Sequence, residues 1–288
     1  MNGILLVDKS ADWTSHDVVA KLRGILHERK LGHAGTLDPM ATGLLVVFAG
    51  RATRAVEFAE ADRKRYAAVL QLGLTTDTQD TTGRVLSRQE IYITNKELDA
   101  ALERFRGELS QIPPMYSAVK VNGQRLYKLA RKGTEVARVP RQITVFDLKR
   151  RSDVTDGRAE LEIECSKGTY VRTLCADIGA ALGCGGAMAA LRRVRAGAFS
   201  VEQAHTIEQL QTLAEQGRIE EVLLPAESLF ADDPVYITNK EQERACRNGA
   251  PFPAEAAPGR YRVRSGSGSF LMLGRCADGE MRSVKNFF

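Results

Sequence analysis

The segment Gly32-His-Ala-Gly-Thr-Leu-Asp-Pro39, followed by Ala41-Thr-Gly43, is the part of this chain best suited to chemistry. Small residues and glycines let a backbone close on a ligand, and Pro39 keeps Asp38 out of the helical region. The loop therefore presents one carboxylate in a fixed position. An isolated Asp-Pro is ordinarily only a turn. His33, five residues before Asp38 in the same loop, sets this one apart.

Composition narrows the classes. The chain has 288 residues with 43% hydrophobic and 27% charged side chains, which suits a globular protein of about two domains. Its longest apolar stretch, Gly43 to Gly50, is far shorter than the roughly 20 residues of a membrane span, and the first residues lack a signal-peptide pattern. Five cysteines without a CxxC pair, and four histidines without ligand spacing, argue against disulfides and metal. The expected setting is the cytoplasm. Between Tyr116 and Arg151 ten basic residues face two acidic ones, so this segment carries +8 and the remainder −3. Such a stretch points to a polyanionic partner, with a solvated basic face as the alternative.

The patterning predicts a buried strand at Ile4–Val7 and a capped helix from Thr14 to about His27, followed by a loop over Lys30–Met40. A strand at Leu44–Phe48, a helix at Ala52–Ala61, a strand at Tyr66–Leu72 and a polar turn at Thr75–Gly83 follow. Thr94-Asn-Lys-Glu97 is a capping box opening a helix to about Phe105. Strands at Ile143–Phe146 and Ala159–Glu164 precede a helix from Tyr170 to about Leu182. Without strict βαβ alternation, the expected class is α+β with a mixed sheet. Beyond about Pro225 short strand candidates alternate with Gly-rich turns, as in a small all-β module. Tyr92–Glu97 recurs identically at Tyr236–Glu241, too short a match to be a repeat.

GHAGTLDPMATGLL resembles the catalytic loop of the TruB-type pseudouridine synthases, which isomerise uridine 55 in the T-arm of tRNA. Arg65-Tyr-Ala67, Gly73-Leu-Thr-Thr-Asp-Thr-Gln-Asp80 with Gly83, Pro113-Pro-Met-Tyr-Ser-Ala-Val-Lys120, Ser166-Lys-Gly-Thr-Tyr-Val-Arg172 and Leu191-Arg-Arg193 resemble further family motifs, in the family order. The resemblance implies a catalytic domain over 1–230 with a basic RNA-gripping insertion at 116–141, and a PUA-like domain over 231–288. The first motif departs from the family's Asp-Lys-Pro-x-Gly, reading Asp8-Lys-Ser-Ala-Asp12, and the C-terminal Val284-Lys-Asn-Phe-Phe288 matches only loosely.

By resemblance, Asp38 is the nucleophile, attacking either C1′ or the base, and Arg172 its ion-pair partner. A neighbouring cation would keep the carboxylate charged in a closed pocket. Tyr66 resembles the family's active-site tyrosine, which stacks on the base and helps remove the C5 proton. Tyr170 and Leu191 match positions lining the uracil pocket. His33 is implied to enter the stack vacated when the base flips out, offsetting part of a cost of a few kcal/mol. Lys120, Arg125, Lys128, Arg131 and Lys132 would contact the RNA backbone, with Tyr116, Tyr127 and Asn122-Gly123 among them, positioning rather than specifying. No atom enters or leaves uridine, so neither cofactor nor metal is expected, and the chain is expected to act as a monomer. A glycosidase pairs two carboxylates where this loop offers one, which disfavours a base-releasing glycosylase. The rival from another class is a non-catalytic RNA-binding or tRNA-folding protein.

Overall fold

The computed structural model describes residues 1–59, 63–121 and 123–288. Eight strands carry the main sheet: β1 (Gly3–Lys9), β2 (Leu31–Ala34), β3 (Thr42–Ala49), β4 (Lys64–Leu72), β5 (Gly107–Gln111), β6 (Arg141–Arg150), β7 (Arg158–Cys165) and β8 (Gly186–Ala196). Their order is β1-β3-β8-β4-β7-β6-β5, with β2 beside β3 and the short strand Phe199–Ser200 beside β8. All described pairings in this sheet are antiparallel except β3 with β8. The expected α+β class with a mixed sheet is what the molecule has.

β8 is the strand that assembles the centre, and hydrophobic patterning missed it, because Leu191-Arg-Arg-Val-Arg195 reads as a charged surface. Its alternation explains the arginines. Arg192 turns one way to make two hydrogen bonds to Asp8, at 3.0 and 2.7 Å. Arg193 turns the other way and is 1% exposed. Gly43 permits β3 to lie against this strand: its φ is +94°, and a Cβ there would stand 2.4 Å from the Arg193 carbonyl oxygen.

Helix α1 (Ser15–Leu26) begins at a Thr14–Asp17 capping box and buries Val18, Val19 and Leu22. Helix α2 (Asn95–Glu103) begins at the Thr94–Glu97 box. Helix α3 (Val171–Ala181) follows Tyr170, its N-cap residue. Two expectations need correction here. The Lys30–Met40 segment is not all loop, because Leu31–Ala34 pairs with β3 as β2. Ala52–Ala61 is not one helix: a 3-10 turn spans Gly50–Ala55 and a short helix Val56–Ala59, while residues 60 and 61 lie outside the described residues.

Beyond Phe230 a five-stranded sheet forms from Val235–Ile237, Phe252–Pro253, Gly259–Arg264, Phe270–Ala277 and Glu280–Asn286. It is not purely β, since a helix spans Lys240–Arg247. The repeated hexapeptide folds differently in its two copies. Thr94 caps α2 with its own side chain, whereas Thr238 is buried and spends both backbone N–H and hydroxyl on the Arg264 carbonyl. Capping therefore shifts one residue on, to Asn239 with Gln242. The loosely matching C-terminus is what docks this module: Phe287 is buried against Phe230 and Phe270, and Phe230 packs edge-on to Phe58 of the main unit at 5.4 Å. Among the described residues, no helix is long and apolar enough to cross a membrane.

Candidate active site

The loop carrying Asp38 is held by the N-terminal strand and its exit. Ser15, fully buried at the start of α1, accepts a hydrogen bond from the Leu37 N–H at 2.9 Å and donates to the Leu37 carbonyl at 3.2 Å. The Asp12 N–H donates to the Pro39 carbonyl, and Lys9 Nζ donates to the carbonyls of Ser10, Trp13 and Pro39 at 2.9, 2.6 and 3.1 Å. Leu37 itself lies in the core cluster with Tyr66, Val171 and Leu191. A loop with this many anchors presents its carboxylate at one place. The departure at Asp12 also has an explanation. This residue sits where the family pattern has Gly, at φ +65°, and aspartate is among the few other residues that tolerate the left-handed region.

Lys9 is a residue that sequence reading passed over, although Asp8-Lys9 was in view. It is completely buried, and desolvation lowers its pKa to about 8 against the opposing pull of Asp38. Replacing it with methionine strands three carbonyl oxygens. Lys9→Met is expected to cost about 3 kcal/mol in urea unfolding, with activity lost through disorder of the Asp38 loop. Stability within about 1 kcal/mol of wild type would contradict this anchoring role.

Arg172 lies opposite Asp38. Its Nε stands 2.9 Å from Asp38 Oδ2 as an ion-pair contact off the hydrogen-bond direction, while Nη2 donates to Oδ1 at 3.2 Å. The guanidinium also donates to the carbonyls of Thr78 and Tyr116 and approaches Asp80 at 3.6 Å. Arg172 is buried, whereas the Asp38 side chain is 36% exposed, so the carboxylate is reached from solvent while its partner is not. Burial pushes the Asp38 carboxyl above its ordinary value, Arg172 pulls it down and Asp80 pushes it up again, with a net rise. The cation thus offsets only part of the desolvation.

Asp80 corrects the impression of a one-carboxylate site. It is 4% exposed and accepts hydrogen bonds from the hydroxyls of Thr78 and Thr82 and from the Thr82 N–H. All three hydrogen bonds reach Oδ1, while Oδ2 faces Arg172 Nη1 at 3.6 Å, so Asp80 braces Arg172. Its only sequence signal was its place in the Gly73–Asp80 turn.

Tyr66 and Leu191 face the same interior from neighbouring strands, and both are 8% exposed. Burial raises the Tyr66 phenol to about 12, opposed chiefly by the positive charge of Arg193. Tyr170 is positioned through its backbone: buried Gln111 accepts from its N–H at 2.8 Å and donates to its carbonyl at 3.1 Å. His33 lies on β2, edge-on to His16 at 5.4 Å, with its pKa lowered to about 4, chiefly by burial. It is therefore a neutral ring at neutral pH.

The basic segment divides in two. Arg138, Lys149, Arg150 and Arg151 are neutralised by Glu135, Asp147, Asp99 with Asp153, and Glu162. Lys120, Lys128, Arg131 and Lys132 are exposed and Arg125 half-buried, and among the described residues none of the five forms an ion pair. Arg131 instead lies over the Tyr127 ring, at 5.6 Å. A two-residue hairpin and a short helix, Leu126–Ala130, carry them. Asn122 lies outside the described residues. No group of metal ligands is found among the described residues.

The sequence that carries this aspartate, its buried arginine and the buried tyrosine matches a known family. Residues 23–171 match the TruB family pseudouridylate synthase N-terminal domain. The chain belongs to that family. Residues 172–231 match the tRNA pseudouridylate synthase B C-terminal domain. A protein of Pseudomonas fluorescens (strain Pf-5) named tRNA pseudouridine synthase B is 42% identical over 96% of this chain and 92% of its own. One of that name from Syntrophotalea carbinolica is 48% identical over 80% and 75%, and one from Lactococcus lactis subsp. lactis is 42% identical over 88% and 79%. Among solved structures, a Cbf5-Nop10-Gar1 complex contains a chain of TM-score 0.77, 25% identical, matched over 99% of this chain and 85% of that one. An H/ACA RNP bound to a substrate RNA contains one of TM-score 0.75 and 23% identity, with the same coverage, and shares the fold. The TruB-family assignment makes the chain a pseudouridine synthase, whose chemistry is isomerisation of a uridine already within RNA.

Proposed function

We propose that this protein converts uridine 55 in the T-arm of tRNA to pseudouridine, with Asp38 as the nucleophile. The observation that carries the reading is the Asp38–Arg172 pair, at 2.9 Å, beside the core cluster in which Leu37 packs with Tyr66 and Leu191. The N1–C1′ bond breaks, the base rotates while held, and C5 joins C1′. Arg172 keeps the carboxylate charged and aimed, and Asp80 keeps Arg172 in place. Tyr66 stacks on the base and takes part in removing the C5 proton, while Tyr170 and Leu191 close the pocket. Neutral His33 suits the stack vacated by the flipped base better than a phosphate contact would. Names of relatives at 40–48% identity support tRNA as the substrate.

Residues 1–230 serve as the catalytic unit, and 231–288 as a PUA-like accessory. That accessory is the weaker RNA surface, because Arg247, Arg260, Arg262, Arg264, Arg282 and Lys285 are already paired with carboxylates. The 116–141 insertion, with its unpaired cations, is the stronger. Affinity for tRNA is expected to fall with salt, and neutralising Lys120, Lys128 and Lys132 together is expected to lower the log–log slope by roughly 2 to 3. An unchanged slope would mean that these cations are merely solvated.

Pseudouridine and uridine have equal mass, so the activity itself is read by carbodiimide labelling and primer extension on unmodified tRNA. A single stop reporting position 55 supports the reading. Tight, salt-sensitive binding with no stop would leave a non-catalytic tRNA-binding protein, and released uracil a glycosylase.

A further inference from the structure

Arg193 is a buried charge that the roles above leave unused. It is 1% exposed, its Nε donates to the Leu44 carbonyl at 2.7 Å, and its Nη2 has no hydrogen-bond partner. Among the described residues no carboxylate forms an ion pair with it, and Lys9 and His33 both feel its positive charge. A buried cation normally has a counter-ion, because desolvation otherwise makes it expensive. What Arg193 has instead is Tyr66. The two are register partners on adjacent strands, so the guanidinium's positive charge acts on the Tyr66 phenol. Gly35 of the Asp38 loop closes over it: a Cβ there would come 3.1 Å from Nη1, and φ is +69°.

We infer that Arg193 is a positioning residue for the isomerisation, fixing the Tyr66 phenol and stabilising, as an unneutralised cation, the anion that uracil becomes on leaving. This rests on the proposed reaction. When the N1–C1′ bond breaks, its electron pair stays with the base and the negative charge spreads over the ring. The same anion then supplies the pair for the C5–C1′ bond, C5 loses its proton and N1 regains one. Between those events the site must hold an anion. A fixed cation in a low-dielectric interior acts on that state and not on neutral uridine, which is the condition for accelerating chemistry rather than tightening binding. Lys9 and Arg172 already face the loop carbonyls and Asp38, whereas Arg193 is a buried cation beside Tyr66 with one guanidinium nitrogen still without a partner.

The test uses wild type, Arg193→Lys and Arg193→Gln in single-turnover reactions on tRNA carrying uridine or 5-fluorouridine at position 55. Consumption of the parent nucleoside is read after digestion. Fluorine makes the departing base a weaker base, so it needs less help to leave. Arg193→Gln is expected to slow uridine consumption by about 100-fold with tRNA affinity unchanged, and lysine to restore about tenfold of it. On the fluorinated substrate the glutamine deficit is expected to shrink below about tenfold. Equal deficits on both substrates, equal failure of both variants, or a defect confined to affinity would overturn the inference. If Arg193→Gln does not fold, Arg193→Lys against wild type on the two substrates makes the same comparison. A wild type inactive on uridine 55 but binding tRNA would instead sink the reaction, and this inference with it.

Discussion

Asp38→Asn is expected to abolish pseudouridine formation, by on the order of 10³-fold or more in single turnover, while tRNA affinity changes by less than about threefold. Asparagine has nearly the same shape, and its amide oxygen can still accept from Arg172 Nη2. Arg172 also keeps its carbonyl partners Thr78 and Tyr116, and Asp80. The fold therefore has little reason to respond, whereas the nucleophile is gone. Retained turnover in a preparation free of wild type would remove Asp38 from that role. Wild-type activity should also carry an acid limb reporting Asp38. Burial raises this carboxyl, so the active, ionised form is lost at a higher pH than for an ordinary aspartate as pH falls. A limb at or below the ordinary carboxylate range would contradict the burial that the site imposes.

How much of this was legible depends on where each signal resides. The strands β1, β3, β4 and β7 announced themselves because apolar runs and alternation are local properties. β8 did not, because its inward arginine looks in sequence like its outward neighbour, and only the sheet decides that Arg193 is interior. The two copies of Tyr-Ile-Thr-Asn-Lys-Glu show the same limit. Local chemistry offers two capping residues, and the Arg264 carbonyl, 26 residues away, selects between them. Arg172, Tyr66, Tyr170 and Leu191 were found through motif resemblance, whereas Asp38 and His33 stood out in their Gly- and Pro-containing loop and took only their roles from it. What that left out were the supports. Lys9, Ser15, Asp80 and Gln111 act on backbone atoms or on Arg172, and their partners lie elsewhere in the chain. Charge counting likewise located the basic segment but could not see that Asp99 and Glu162 neutralise its second half.

Arg172→Met is the companion experiment, and it separates holding the carboxylate from supplying it. Removing the guanidinium leaves Asp80 buried without its cation and Asp38 facing it across an emptied site. A broken buried pair typically costs 3–5 kcal/mol. About 3 is expected in urea unfolding, the low end, because Asp38 remains open to water on one side. Turnover is expected to fall on the order of 10²–10³-fold. The direction of the remaining pH dependence is the sharper prediction. Arg172 is the largest influence lowering the Asp38 carboxyl, and Asp80, which raises it, stays. The acid limb of the residual activity should therefore move to higher pH, and activity should recover partly as pH is raised. Arg172→Lys should show a smaller shift, because the ammonium keeps the charge but cannot span Asp38, Asp80 and two carbonyls at once. If Arg172→Met lost activity with no movement of the limb, the arginine would be acting on something other than the ionisation of Asp38. The carbonyl of Tyr116, at the root of the basic insertion and 2.8 Å from Nη2, would be the place to look, since through it the same residue ties the site to the RNA-gripping arm.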